Sequence, residues 1–242
     1  MKLYCVGCGP GDPELLTVKA IKLIQGAQVL FAPTARDGRP SIALSIVKKY
    51  LKNSTKTVNL IFPMIKNKES LETHWKRNTE LIADSVKSGK RVVYLTVGDP
   101  GLYSTWIYIH RQLKKNYKHI EVEIVPGIAS MFAFAAETKM SLAEGDETLG
   151  IVPACYDMDR VKKTANSCDT VIFLKDGRYF DKVIDMLSEA GFEDNSTIAI
   201  AQDVSAEQEI LRTSRLRDLR GTKGPTDKYF SIMVAKKKND ST

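Results

Sequence analysis

Three glycine-bearing segments hold most of the residues whose types and spacing could do chemistry. They are Gly7-Cys8-Gly9-Pro10-Gly11-Asp12-Pro13, Gly98-Asp99-Pro100-Gly101-Leu102-Tyr103-Ser104-Thr105 and Val125-Pro126-Gly127-Ile128-Ala129-Ser130. Glycine lets a backbone come close to a ligand. Each segment follows an apolar run and precedes a helical pattern, which is the carboxyl end of a strand, where α/β folds take their ligands. Any one of them also reads as a tight turn; three in the same context are harder to assign to turns alone. The first segment lacks the G-x-G-x-x-G spacing of a dinucleotide site, and Phe31-Ala32 ends the second strand where such a site needs an acid. No G-x-x-x-x-G-K-[ST] run occurs either. Nicotinamide and nucleoside-triphosphate chemistry are therefore disfavoured.

Other reactive types surround these loops. Asp12 stands at the mouth of the first loop, as a general base or substrate anchor, or as a helix N-cap before Pro13 and Glu14. Arg36 and Arg39, in TARDGRPS, could meet carboxylates through charge-assisted hydrogen bonds or belong to a solvated loop. His74, His110 and His119 share no metal-like spacing. Cys5 and Cys8 have C-x-x-C spacing, but Cys155 and Cys168 do not complete a zinc site. Cys5 also lies inside an apparent strand, whereas a thioredoxin-like pair opens a helix. The cysteines read as small core residues of a reducing compartment, and no resident metal is expected.

The elements that must position these residues alternate from end to end. Apolar runs LYCVG, QVLFA, TVNLIF, RVVYLTV, EVEIV, TLGIVPA, TVIFL, TIAIA and KYFSIMVA read as strands, with EQEILRTSRLRDL an edge strand and turn. Helical periodicity covers residues 13–25, 41–51, 69–88, 102–115 and the segments DRVKKTA and YFDKVIDMLSEAG, and PGIAS turns EVEIV into a small-residue helix ending near Lys139. The fold class is α/β, with two lobes divided at the polar stretch of residues 114–119: 1–118 and 119–242. No apolar run nears the roughly 20 residues that cross a bilayer, and MKLYCVGCGPGD is no signal peptide; a cytoplasmic protein is expected. The formal charge of +7 comes with lysines that read as dispersed along the chain apart from Lys236, Lys237 and Lys238. No nucleic-acid stripe is evident; a polycarboxylate substrate fits the excess equally well.

Together GCGPGDPELLT, GDPGLYST and VPGIAS resemble the tetrapyrrole methylases, the class III S-adenosylmethionine methyltransferases, across essentially the whole chain. Phe62-Pro63-Met64, Leu102-Tyr103-Ser104-Thr105, Leu142-Ala143-Glu144-Gly145-Asp146-Glu147 and Val152-Pro153-Ala154 are similar to the branch that methylates C(20) of precorrin-2 or cobalt-factor II. Gly101 and Val152 depart from that branch, which commonly has Ser and Leu there. The resemblance implies a bilobal homodimer that binds S-adenosylmethionine between its lobes and methylates a corrin precursor, any cobalt arriving inside the substrate. It implies cofactor contacts from Pro10, Gly98, Asp99, Tyr103, Ser104, Thr105, Ala129, Ser130, Ala154, Cys155, Ala201 and Gln202. Uroporphyrinogen methylation, diphthine synthesis, RNA methylation and a non-catalytic tetrapyrrole carrier are the competing readings. The LAEGDE segment argues against the first two, and basic charge alone supports the third.

Overall fold

The computed structural model describes residues 1–65, 67–153, 155, 157–175, 179–205, 209–222 and 231–237. It contains two five-stranded sheets, one in each of two compact units, Met1–Ala129 and Ser130–Thr242.

In the first unit, β1 (Lys2–Gly7), β2 (Val29–Thr34), β3 (Lys56–Ile61), β4 (Val92–Thr96) and β5 (Glu121–Val125) form a wholly parallel sheet in the order β3-β2-β4-β1-β5. Side chains alternate between its faces with a period of two. Leu3, Cys5, Val29, Phe31, Val92 and Tyr94 pack under α3 (Lys68–Lys87) and α4 (Trp106–Asn116). Val6, Leu30, Ala32, Val93 and Leu95 pack under α1 (Val18–Gln25) and α2 (Ile42–Val47). Helices on both faces explain why β4 reads as an unbroken apolar run, buried at all five positions.

The second unit opens with α5 (Ser130–Thr138) and builds a mixed sheet from β6 (Leu149–Val152), β7 (Thr170–Leu174), β8 (Thr197–Gln202), β9 (Ile210–Arg215) and β10 (Ser231–Lys236), in the order β6-β7-β10-β8-β9. β6 and β7 are parallel; β10 runs antiparallel to β7 and β8, and β9 antiparallel to β8. One face is covered by α6 (Met158–Ser167), α7 (Phe180–Glu189) and the short α8 (Leu216–Leu219), while α5 packs against β10.

Three expectations change. The division between units falls after Ala129, not after residue 118, because β5 pairs with β1 and belongs to the first sheet. The helix expected over 13–25 is a 3-10 turn, Pro13–Leu15, then an extended Leu16 and a fresh start at Thr17, whose Oγ1 accepts from Ala20 N at 3.1 Å. The helix expected from residue 102 begins at Trp106, since Tyr103 has φ +47°, outside helical geometry. Among the described residues no helix is long and apolar enough to cross a membrane.

Candidate active site

The order β3-β2-β4-β1-β5 makes β1 and β4 neighbours, yet the chain leaves them for opposite faces, towards α1 and towards α4. Such a divergence opens a crevice at the carboxyl ends of the strands, where ligands of parallel α/β sheets bind. β5 flanks β1 on its other side and brings the third glycine segment to the same edge.

The three segments are knitted together by backbone. Gly98 N donates to Gly9 O at 2.7 Å, and Gly9 N donates to Gly98 O at 3.4 Å. Both glycines have left-handed backbone, φ +72° and +70°, which an L side chain resists. Gly7 and Gly127 are required by proximity instead. A Cβ on Gly127 would overlap Gly98 O and lie 2.8 Å from Gly7 C, and a Cβ on Gly7 would lie 2.6 Å from Gly127 N. The carboxylate of Asp99 completes the join: Oδ1 accepts from Gly101 N at 2.7 Å and Oδ2 from Gly127 N at 3.0 Å. Asp99 therefore closes its own turn and ties the second segment to the third.

The hydroxyls of the second segment point back into the protein. Ser104 Oγ pairs with Thr96 Oγ1 at 2.7 Å and accepts from Trp106 N at 3.1 Å. Thr105 Oγ1 pairs with the hydroxyl of fully buried Tyr94 at 2.8 Å. Loss of solvation pushes the Tyr94 phenol far above its usual range, so it stays protonated. With these side chains engaged, Ser104 and Thr105 offer a ligand chiefly their backbone. Tyr103, between Leu102 and Ser104, is 46% exposed. Pro10 is half-buried at the end of the first segment, and Ala129 is buried beside Gly98. Asp12 Oδ1 caps the 3-10 turn through Glu14 N at 2.7 Å; Oδ2 has no partner among the described residues. Cys5 and Cys8 are fully buried on opposite faces of the first sheet. Burial raises both thiols, that of Cys8 to about 12, which leaves them unreactive.

Arg36 and Arg39 are exposed in the loop after β2, at the same edge of the first sheet; Thr34 Oγ1 donates to their carbonyls at 3.2 and 2.9 Å. Neither is in an ion pair among the described residues. The remaining candidates belong to the second unit. Ser130 opens α5, Cys155 is 1% exposed in the core, and Ala201 and Gln202 are buried at the end of β8. Ala154 lies outside the described residues. Since β6, β7 and β8 run the same way, Cys155, Gln202 and the residue after β7 share one edge of the second sheet. That residue is Lys175, which sequence reasoning passed over because no glycine precedes it. It has φ +64°, and burial lowers its pKa. Asp203 and Ser205, after β8, also have positive φ, 51° and 61°. Backbone strain of this kind tends to gather at ligand sites. The usable signal was a cation directly after the apolar strand TVIFL.

The family model for tetrapyrrole (corrin/porphyrin) methylases matches residues 2–220. The chain belongs to the tetrapyrrole methylase family. Among relatives of this family, the chain is 37% identical over 207 residues to a probable cobalt-precorrin-2 C(20)-methyltransferase of Methanocaldococcus jannaschii, covering 81% of this chain and 86% of that protein. It is 30% identical to the cobalt-precorrin-2 C(20)-methyltransferase of Salmonella typhimurium, over 97% and 96% of the two chains. Solved structures share the fold. A cobalt-precorrin-4 methyltransferase matches with TM-score 0.73 at 24% identity, over 97% of this chain and 94% of the other. A uroporphyrin-III C-methyltransferase of Thermus thermophilus, solved with S-adenosylhomocysteine, matches with TM-score 0.72 at 20% identity, over 98% and 92%.

Proposed function

We propose that this tetrapyrrole methylase transfers a methyl group from S-adenosylmethionine to the C(20) meso carbon of cobalt-factor II, or of metal-free precorrin-2, in cobalamin biosynthesis. The observation that carries the reading is the near full-length similarity to proteins named for C(20) methylation. The glycines let the three loops meet backbone to backbone at one edge of the first sheet, which supports a cofactor held largely by main-chain groups.

When bound, S-adenosylmethionine supplies an activated methyl on a sulfonium, whose departure needs no acid. The task left to the chain is to hold two reactants in line, a contribution of about 7–11 kcal/mol in favourable model reactions. Pro10, Gly98, Tyr103, Ser104, Thr105 and Ala129 contribute the cofactor surface of the first unit, and Asp99 fixes the loops that present it. Ser130, Ala154, Cys155, Ala201 and Gln202 belong to the same proposal. Arg36 and Arg39, exposed and free of ion pairs among the described residues, anchor acetate and propionate groups of the substrate. Asp12, with one oxygen capping and the other available, takes the meso proton. The protein works in the cytoplasm as a homodimer, the commonest closed oligomer; a monomer by light scattering at micromolar concentration contradicts that part.

An anaerobic assay offers metal-free precorrin-2 and cobalt-factor II side by side, with S-adenosylmethionine, and reads methylated product by mass spectrometry. Methylation of either at C(20) is the expected result. Methylation of uroporphyrinogen III instead, or tight S-adenosylhomocysteine binding with neither corrin precursor turned over, refutes it.

A further inference from the structure

The positive charge of this chain is not spread evenly. Residues 15–68 contain ten Lys and Arg but a single acid, Asp37, whereas the rest of the chain holds 26 basic and 28 acidic residues. The net charge of +7 therefore originates in the stretch that forms α1, β2, α2 and β3, and the dispersed reading of the lysines gives way to a localised one.

Within this stretch, where α1 ends and β3 begins, lies an open groove of about 580 Å³. Lys22, Gln25 and Gly26 at the end of α1 form one wall, and Lys49, Tyr50 and Lys52 ahead of β3 form the other. Arg91 adds a fourth cation, because Gly26 has no side chain: a Cβ there would lie 2.6 Å from Arg91 Nη1. Gln28 Oε1 accepts from Arg91 N at 2.9 Å and fixes the backbone that carries it. None of these cations is in an ion pair among the described residues. Lys22 complements the carbonyl end of α1, and Lys49 that of the 3-10 turn Lys48–Tyr50 after α2. Lys52 and Arg91 lie outside both and have no such reason to converge. The groove lies at the amino-terminal edge of the parallel sheet, since α1 ends there and β3 and β4 begin there, opposite to the glycine segments.

We infer that this groove docks an acidic segment of a partner protein. An extended run of carboxylates suits separate, flexible cations on two walls, with Tyr50 and Leu51 as an apolar floor. Other anions fit less well. A compact phosphate is favoured by converging N–H groups at a helix N-terminus, and this groove meets a helix C-terminus. Single-stranded nucleic acid needs an open aromatic face for stacking. The Tyr50 ring has Lys49 Nζ over it at 5.3 Å, and its hydroxyl donates to Pro13 O at 3.4 Å. The inference does not depend on the methyl transfer proposed above.

The test is fluorescence anisotropy of a labelled decaglutamate peptide with the full-length protein. Three proteins are compared: wild type, Lys22→Glu/Lys49→Glu/Lys52→Glu, and a control with the same charge change on and after α4, Lys114→Glu/Lys115→Glu/Lys118→Glu. The groove variant is expected to weaken binding about 30-fold or more and the control about 2-fold or less, with salt weakening the wild-type complex strongly. S-adenosylhomocysteine affinity and melting temperature should be unchanged in the groove variant; if it folds poorly, the Gln triple variant replaces it, with about 10-fold weakening expected. Equal loss in both reversals means that net charge alone attracts the peptide, and overturns the inference. So does no loss in the groove variant. Tighter, groove-dependent binding of tripolyphosphate or a deoxythymidine decamer assigns the groove to another anion and overturns it too.

Discussion

Replacing Asp99 with Asn removes one acceptor and the charge while keeping the shape. The short bond to Gly101 N, 2.7 Å within the same turn, is the one an Asn oxygen retains. Its amide then faces Gly127 N, a donor against a donor, where the carboxylate accepted at 3.0 Å. A hydrogen bond to a charged group contributes about 1.5–3 kcal/mol, so the tie between the second and third segments is lost at about that cost. Asp99→Ala loses both bonds. If the segments form the cofactor surface, the loss appears in binding: at about 1.4 kcal/mol per decade, S-adenosylmethionine should bind roughly 10–100-fold more weakly to either variant. The competing account makes Asp99 a cap of the following helix. The structure gives that helix another cap, since Trp106 N donates to Ser104 Oγ. Calorimetric titration with S-adenosylhomocysteine and thermal melting on one preparation separate the two accounts. A melting temperature lowered by several degrees with unchanged affinity refutes the reasoning and reduces Asp99 to a stabilising turn residue.

Gly127→Ala should cost on the order of 3 kcal/mol of stability, because the new Cβ meets Gly98 O and Gly7 C, both backbone and both held in register; chemical denaturation measures it, and a near-neutral result contradicts the close packing of the three segments. His110, stacked on Trp106, has its pKa lowered by burial and then by Lys114. The unfolded state thus takes up its proton first, and stability present above pH 6.5 is lost as the pH falls through the lower folded value. His110→Phe should accordingly flatten the decline in melting temperature as the pH falls below about 6.5, and an unchanged slope counts against the assignment. In the second unit, Lys236 and Glu147 form an ion pair at 3.5 Å with side chains 3% and 10% exposed, and Lys236 Nζ also donates to Ser141 O. Lys236→Met should destabilise by about 3–5 kcal/mol, and adding Glu147→Gln should recover part of it; additive losses on denaturant melts contradict a coupled pair.

Most elements were legible because each imposes its period on the sequence within a few residues. β4 and β7 read as apolar runs and are buried at every position. What a local pattern could not convey was neighbourhood. Nothing in EVEIV says that it joins β1, so the polar stretch at residues 114–119 reads as a boundary eleven residues ahead of the real one. KYFSIMVA read as a closing strand, yet β10 fills the centre of the second sheet between β7 and β8. Strand order follows from pairings between distant segments, and a period of two is the same for an edge and a centre. The end of a helix was equally hidden where one backbone angle decides it: Tyr103 tolerates helix as a residue type, and only its turn places it at positive φ.

The candidate site divides along the same line. Its glycines were readable because absence of a side chain is a property of the residue, and the structure gives each absence a reason: positive φ at Gly9 and Gly98, close approach at Gly7 and Gly127. Its polar side chains were readable only as types. The family resemblance implies cofactor contacts at Ser104 and Thr105 without saying which atoms make them; their hydroxyls turn towards β4, to Thr96 and Tyr94. Two hydroxyl pairs sit behind the loop, and the residue just before Ser104, Tyr103, is left exposed. The direction of a hydroxyl depends on what its neighbours lack, and Tyr94 inside an apolar strand lacks a partner for its phenol. That unmet need, written in RVVYLTV, predicts a hydroxyl or carbonyl packed over β4, and it is the signal by which the inward turn of Thr105 could have been read.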